Sequence, residues 1–291
     1  MKYVELINGV KMPMLGLGTY PMKGDVIKSV VRSCIELGYE LFDSAWYYKN
    51  ESDISATWRK INVKREDVFI STKLKHEQII GRRRYFHIDK ASPRKCFENT
   101  LKRFQTDYID LYLMHTYIDD YMEVYSELIE LYKARKVRAI GACSCTIEQL
   151  ERFYAMHGVY PMVNQIEMHP YYNRRDLIDY CNEHSIQVMA FSPFAHGDYL
   201  KELIHNEYLI RIAQKYGKSV SQVILRWFVQ QGVVVIPQSA NPIHLKENIE
   251  IFDFDLTDSE MGKIDMLEKN LSYGSFSKTR ERSFLGIPLD H

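Results

Sequence analysis

Short apolar runs alternate along this chain with longer stretches in which apolar residues recur every three or four positions. Between Val26 and Leu37 the apolar residues fall on one face of a helix, and the next apolar run has the length of a strand and ends at Asp43. The same alternation predicts helices over 52–60, 92–104, 123–133, 147–156, 174–184, 208–216 and 219–231, and strands over 67–73, 108–115, 137–144, 161–165, 187–192 and 233–237.

Counted from Met14, the pattern contains eight strands with helices between successive ones. Such alternation forms a parallel sheet with right-handed crossovers, and eight units favour a closed barrel. We therefore expect an α/β fold, a (β/α)8 TIM barrel in which residues 1–291 form a single domain. Asn8-Gly9 predicts a type I′ turn in an N-terminal β-hairpin over residues 1–13, and residues 271–291 form a C-terminal loop expected over the active-site face.

Polar residues close most of the predicted strands. In a parallel barrel the carboxyl ends of all strands meet at one face, where ligands bind. The residues that end an apolar run or directly follow it are Asp43, Lys73, His115, Ser144, Gln165, Ser192 and Gln238. One polar strand end means little, but seven at one face predict a binding site.

Four residues at this face suggest proton chemistry. The free tyrosine pKa of about 10 is too high for efficient proton exchange at neutral pH. A nearby Lys73 ammonium lowers the pKa of Tyr48, and Asp43 holds that ammonium in place. His115 can hydrogen-bond a substrate oxygen and orient it. The set supplies a proton but contains no reductant, so we expect an external hydride donor.

Composition excludes several functional classes. Lys plus Arg and Asp plus Glu each total 38, so no overall field attracts nucleic acid or membrane. No metal-ligand cluster or phosphate loop stands out, and Gly16-Leu17-Gly18 is followed by Tyr20 and Pro21 instead of the third glycine of a dinucleotide loop. The five cysteines lack CxxC spacing and fit reduced core thiols. With no signal peptide or apolar span in view, we expect a soluble cytoplasmic protein, monomeric or weakly homo-oligomeric.

Several motifs in fixed order resemble those of the aldo-keto reductase family over almost the full chain. They are LINGVKMPMLGLGT (6–19), FDSAWYYKNE (42–51), FISTKL (69–74), DYIDLYLMH (107–115), VNQIEMHPY (163–171), FSP (191–193) and VVIPQS (234–239). The resemblance implies a (β/α)8 barrel and reversible carbonyl reduction with NADP(H) or NAD(H). It places a catalytic tetrad on Asp43, Tyr48 as proton donor, Lys73 and His115.

The resemblance also implies a set of cofactor contacts. They are Gly18, Thr19, Asp43, Cys143, Ser144, Gln165, Phe191, Ser192, Pro193, Phe194, Pro237, Gln238, Ser239, Ala240, His244, Glu247 and Asn248. Gln165 would hydrogen-bond the carboxamide and Phe191 would stack on the nicotinamide, for which any π-face serves. Cys143-Ser144 stands where the family usually has Ser-Asn, and Ser144 can replace one hydrogen bond with shorter reach.

Two substitutions bear on cofactor choice. NADPH-preferring members carry Lys and Arg where this chain has Gln238 and His244, so two charge-assisted contacts to the 2′-phosphate are missing. We expect a weakened NADPH preference, with NADH as a candidate. Lys246 in the neighbouring helix turn is an alternative phosphate partner, which keeps NADPH open.

By the same resemblance the substrate pocket is lined by Tyr20, Trp46, Tyr47, Tyr48, Lys75, His115 and Thr116. The segment 76–91, which contains Arg82-Arg83-Arg84, is longer than the family's usual loop. It is interpreted either as a solvated basic loop or as a lid that attracts an acidic or phosphorylated carbonyl substrate.

Two functional hypotheses of different class follow. The first is an active reductase of small aldehydes, ketones or sugars, which the intact tetrad favours. The second is a nucleotide-binding regulatory subunit that keeps the barrel without useful turnover, as in the channel-associated relatives of the family.

Overall fold

The computed structural model describes residues 1–74, 93–115 and 122–272 of the chain. Its first element is the predicted hairpin, formed by β1 (Tyr3–Glu5) and β2 (Lys11–Pro13). The predicted turn type is wrong. A type I′ turn centred on Asn8 and Gly9 needs positive φ at both residues, and only Gly9 has it, at 80°. The Leu6 carbonyl accepts from the Gly9 amide, and the Asn8 side chain donates to the Arg138 carbonyl at 2.8 Å. This anchor on the barrel fixes the turn.

The parallel strands of the barrel follow the hairpin. They are β3 (Gly16–Gly18), β4 (Leu41–Asp43), β5 (Phe69–Lys73), β6 (Ile109–Met114), β7 (Val137–Cys143), β8 (Val163–Glu167), β9 (Gln187–Phe191) and β10 (Val234–Val235). Each pairs in parallel with its neighbour in sequence. Two hydrogen bonds of 3.0 Å join the first strand to the last. The Val235 amide donates to the Met14 carbonyl, and the Gly18 amide donates to the Pro237 carbonyl. The described strands therefore form the predicted (β/α)8 barrel.

Helices cover the outside of these strands. They are α1 (Gly24–Glu36), α2 (Glu51–Lys60), α3 (Pro93–Phe104), α4 (Met122–Lys133), α5 (Ile147–His157), α6 (Arg175–Glu183), α7 (Gly197–Ile204), α8 (Glu207–Tyr216), α9 (Val220–Gln230), α10 (Pro242–Ile249) and α11 (Asp258–Asp265). Eight of them match the predicted helices within a few residues. Three short ones, α7, α10 and α11, lie outside the predicted set, because eight residues carry little periodic signal.

Apolar residues fill the barrel interior and the layer outside it. Leu41, Phe69 and Leu111 pack inside the barrel, and Leu6 and Met12 of the hairpin belong to the same buried cluster. The hairpin therefore closes the amino end of the barrel, where it also contacts Arg138. A larger cluster lies between strands and helices. The five cysteines are buried thiols, as expected.

A buried charge lies at the start of β6. The Asp110 side chain is fully buried and accepts hydrogen bonds from the Ile70 amide at 2.9 Å, Arg65 at 2.5 Å and Arg138 at 2.7 Å. A buried carboxylate needs such partners, since desolvation is costly without them. This cluster joins β5, β6 and β7 far from the polar strand ends.

No helix in the described ranges is long and apolar enough to cross a lipid bilayer.

Candidate active site

The carboxyl ends of β4 and β5 bring a buried ion pair together. Lys73 donates from Nζ to both Asp43 oxygens, at 2.7 Å for Oδ2, and to the Ser44 carbonyl at 2.9 Å. Burial alone lowers the pKa of Lys73, but the charge and hydrogen bond of Asp43 outweigh it and raise that pKa above its ordinary value. The ammonium thus stays charged although both residues are almost fully buried.

Tyr48 lies directly beyond β4, in a 3-10 turn over Trp46–Tyr48. Its ring centroid lies 5.1 Å from Lys73 Nζ. Burial raises the pKa of Tyr48 to about 12, and the Lys73 charge and hydrogen bond lower it only in part. Lys73 lowers the pKa of Tyr48, as predicted. The net shift is nevertheless upward, the reverse of the prediction, because desolvation of the phenolate outweighs the effect of Lys73. At neutral pH the phenol is therefore protonated.

Two further rings pack against Tyr48. The His115 ring, just after β6, meets it edge-on with 6.1 Å between centroids, and the Tyr20 ring lies 5.0 Å from it, also between centroids. Tyr20 and Tyr47 are each 53% exposed, so they offer aromatic surface to a ligand. Trp46 is half-buried beside them. The structure thus brings the predicted tetrad and this aromatic wall together.

Some predicted site residues lie outside the described residues. They are Lys75, Thr116, the Arg82-Arg83-Arg84 loop and residues 273–291 of the C-terminal loop.

The ends of β7 and β8 meet the ion pair from the opposite side. Gln165 donates from Nε2 to Asp43 Oδ2 at 2.8 Å, and the Ser144 amide donates to the Gln165 carbonyl at 2.7 Å. The Ser144 hydroxyl is buried and has no hydrogen-bond partner among the described residues. Burial raises the pKa of the Cys143 thiol to about 12, so it is a neutral packing group. An unsatisfied buried hydroxyl beside Gln165 fits the carboxamide of a nicotinamide cofactor.

Two of the expected cofactor residues hold the end of β3 against its two neighbouring strands. A Cβ on Gly18 would lie 2.8 Å from the Ile236 carbonyl oxygen, so a larger residue has no room there. Thr19 is buried and donates from Oγ1 to the Asp43 carbonyl at 2.8 Å. The structure thus accounts for Gly16-Leu17-Gly18 as strand β3 and not as a dinucleotide loop.

The remaining expected cofactor residues follow β9 and β10. Phe191 and Phe194 are partly exposed, Pro193 is buried, and the Ser192 hydroxyl lies 2.6 Å from His196 Nε2. Beyond β10, Pro237, Ser239 and Asn248 are buried, Glu247 is partly exposed, and Gln238, Ala240 and His244 are exposed. Because Gln238 and His244 are exposed, a ligand can reach both side chains.

Sequence reasoning missed the buried polar residues behind Tyr48. Asn50 and Glu51 are both almost fully buried, and Glu51 accepts hydrogen bonds from Thr72 Oγ1 at 2.7 Å and from Arg103. They end the FDSAWYYKNE motif, but apart from Ser44 their side-chain partners lie outside it, so the motif gave no sign of those contacts. Among the described residues, no group of His, Cys, Asp and Glu is arranged to hold a metal ion.

Comparisons with known proteins identify the family and the fold. The model of the aldo/keto reductase family matches residues 14–269. Glyoxal reductase of Bacillus subtilis (strain 168) is 40% identical over 93% of this chain and 94% of its own length. Methylglyoxal reductase DkgA of Escherichia coli O157:H7 is 36% identical over 93% and 95%. The crystal structure of MGS-M4, an aldo-keto reductase from a Medee basin deep-sea metagenome library, superposes with a TM-score of 0.85 at 31% identity, covering 93% of this chain and 97% of that one.

Proposed function

This chain belongs to the aldo/keto reductase family, and we propose that it reduces a small 2-oxoaldehyde of the glyoxal and methylglyoxal type, with Tyr48 as the proton donor. The observation that carries the proposal is the buried Asp43–Lys73 pair, whose ammonium lies 5.1 Å from the Tyr48 ring. Carbonyl reduction is the activity named for the relatives above, and a single proton donor beside a fixed cation is what that reaction requires of the protein.

A nicotinamide cofactor, which enzymes of this family use, supplies the hydride when it is bound. The protein supplies the proton: the Tyr48 phenol, protonated at neutral pH, donates to the carbonyl oxygen. Lys73 then stabilises the phenolate that forms, and Asp43 keeps Lys73 charged and in place. His115, edge-on to the Tyr48 ring, hydrogen-bonds the substrate oxygen and orients it toward the phenol.

In this proposal, residues beside the ion pair would hold the carboxamide of the cofactor. The unsatisfied Ser144 hydroxyl provides one hydrogen bond, and Gln165, already fixed by Asp43, provides a second. Phe191 at the end of β9 offers its face to the nicotinamide ring. Because Gln165 also donates a hydrogen bond to Asp43, the proposed carboxamide site and the Asp43–Lys73 ion pair beside Tyr48 are directly linked.

NADPH preference is weakened in this chain. Gln238 and His244 are exposed beyond β10, at the positions expected to contact a 2′-phosphate. Glutamine carries no charge and therefore cannot form a charge-assisted hydrogen bond to that phosphate. Lys246 is the nearby alternative, but its Nζ lies 3.9 Å from the carboxylate of Glu250 at the C-cap of α10, and this carboxylate competes with a phosphate for the ammonium. We therefore expect NADH to be accepted alongside NADPH.

The Tyr48→Phe variant tests the proposed function. It removes the phenol and keeps the ring, so we expect kcat for methylglyoxal reduction to fall about 100-fold or more, while cofactor binding, followed by quenching of tryptophan fluorescence, stays unchanged. Undiminished turnover in this variant would refute the role of Tyr48. A wild-type protein that binds cofactor but consumes none across a panel of carbonyl compounds would instead be the regulatory subunit of the second hypothesis.

A further inference from the structure

Asn50 occupies the N-cap position of α2, immediately after the turn that carries Tyr48. Asparagine at this position commonly stabilises a helix by accepting hydrogen bonds from the amides of its first turn. Here no described amide of α2 donates to the Asn50 side chain. A residue well suited to capping is thus used for something else, although its side chain is fully buried.

The Asn50 amide joins two loops of the active-site face. Its Oδ1 accepts from Ser44 Oγ at 2.6 Å, within the β4 loop. Its Nδ2 donates across to the β3 loop, to the Thr19 carbonyl at 3.2 Å, Thr19 Oγ1 at 3.1 Å and the Met22 carbonyl at 3.0 Å. All four partners are polar groups in a buried region, where an unmade hydrogen bond is costly.

The two loops that Asn50 joins carry two tyrosine rings that contact each other. The β3 loop contains Tyr20 between Thr19 and Met22, and the β4 loop contains Tyr48 between Ser44 and Asn50. Their rings lie 5.0 Å apart. Lys49, between Tyr48 and Asn50, has a left-handed backbone conformation with φ of 56°, which ends the 3-10 turn that carries Tyr48.

Glu51 holds the same turn from the opposite side. Its carboxylate accepts from Thr72 Oγ1, next to Lys73 in β5, and from Arg103 of α3. Asn50 thus faces β3 and Glu51 faces β5, and the Tyr48 turn is fixed between them. Of the two, Asn50 is the residue in direct contact with both tyrosine-bearing loops.

We infer that Asn50 is a positioning residue, which sets the place of the Tyr48 phenol relative to Tyr20 and Lys73. The inference rests on the proposed function, since it matters only if Tyr48 donates the proton. It assigns Asn50 no contact with substrate or cofactor. A displaced donor loses rate steeply, because proton transfer needs hydrogen-bond distance to the acceptor.

The test is a double-mutant cycle on kcat with Asn50→Ala, Tyr48→Phe and the combined variant. We expect Asn50→Ala alone to lower kcat for methylglyoxal reduction by about 10- to 100-fold. In the Tyr48→Phe background it should lower kcat no further, because no phenol remains to be positioned. Cofactor affinity, read by fluorescence quenching, should change less than about threefold throughout. Asp110→Asn, at the other end of the barrel, is the control for loss of a buried hydrogen-bond network and should keep its kcat.

The outcomes separate the two proposals. Tyr48→Phe with full turnover would remove the proposed function itself. A Tyr48→Phe variant that is slowed as expected, with Asn50→Ala at wild-type kcat or with losses that multiply in the double variant, would overturn the role of Asn50 alone. If Asn50→Ala does not fold, Ser44→Ala takes its place in the same cycle. It removes one of the four hydrogen bonds of Asn50, and we expect it to lower kcat by about three- to tenfold.

Discussion

Replacing Lys73 by methionine tests how the cation acts on Tyr48. Methionine keeps the length of the buried stem and removes the charge. At 5.1 Å from the ring centroid and an effective dielectric constant of about 20, a unit charge stabilises a phenolate by about 3 kcal/mol, or about two pKa units. Asp43 opposes part of this effect, and only part of the phenolate charge has formed in the transition state. We expect kcat for reduction to fall about 10- to 100-fold.

The sign of the pH dependence distinguishes this mechanism from simple damage to the fold. The pKa of Tyr48 is raised to about 12 by burial despite Lys73, so removing Lys73 raises it further. Alcohol oxidation, the reverse reaction, needs the phenolate as base. In the variant its rate should therefore begin to rise at a more alkaline pH than in the wild type, as measured by steady-state rates over the neutral and alkaline range.

The matched control is the Asp43→Asn/Lys73→Met double variant, which leaves no unpaired buried carboxylate. Comparing it with Lys73→Met separates the loss of the cation from the cost of an isolated Asp43 charge. Unchanged kcat in Lys73→Met, or a rise in oxidation rate at lower pH than in the wild type, would refute the electrostatic account.

Three further predictions concern cofactor choice and stability. Gln238→Lys combined with His244→Arg should increase the ratio of kcat/KM for NADPH to that for NADH at least about tenfold, since each new charge-assisted contact contributes about 1.5 kcal/mol or more; an unchanged ratio would place the 2′-phosphate elsewhere. Asp110→Ala should lower the free energy of unfolding in urea by about 1–3 kcal/mol and leave kcat unchanged, because it leaves the buried Ile70 amide without its acceptor. Burial raises the pKa of Glu260, but hydrogen bonds, first that from Lys215, outweigh it and lower the pKa from 4.5 to about 2. The carboxylate thus stabilises the fold above pH 4.5, and this contribution disappears as pH falls toward 2. Glu260→Gln should lose stability at neutral pH and approach the wild type in acid, as read by thermal unfolding.

Much of the barrel and the tetrad could be predicted because both depend on local pattern. A strand that ends in Asp43 or Lys73 is visible in sequence, and the parallel fold brings such ends together. The turn at Asn8 was mispredicted because its conformation is fixed by a contact with Arg138, more than a hundred residues away. The net pKa of Tyr48 depends on burial, which no sequence pattern reports.

The contacts of Asn50 could not be predicted for a similar reason. The hydrogen bonds of its side-chain amide reach Met22 and Thr19, which lie 28 and 31 residues earlier in the chain. In the sequence alone, this asparagine looks like an ordinary helix cap. The helices α7 and α11 were missed because each has eight residues, too few for a periodic signal. Pattern therefore predicted which residues lie together at the carboxyl ends of the strands, while the hydrogen bonds behind them are visible only in the folded structure.

The seam between β3 and β10 has a consequence for how the chain is made. The ring of strands closes only when Val235 and Pro237 reach Met14 and Gly18, so during synthesis on the ribosome the edge of β3 that faces β10 stays unpaired until the chain has been translated beyond Pro237. Over that interval β3 presents an open edge to other nascent chains. A chain that stops short of Pro237 keeps this exposed edge permanently, which makes it a natural client for chaperones and proteases.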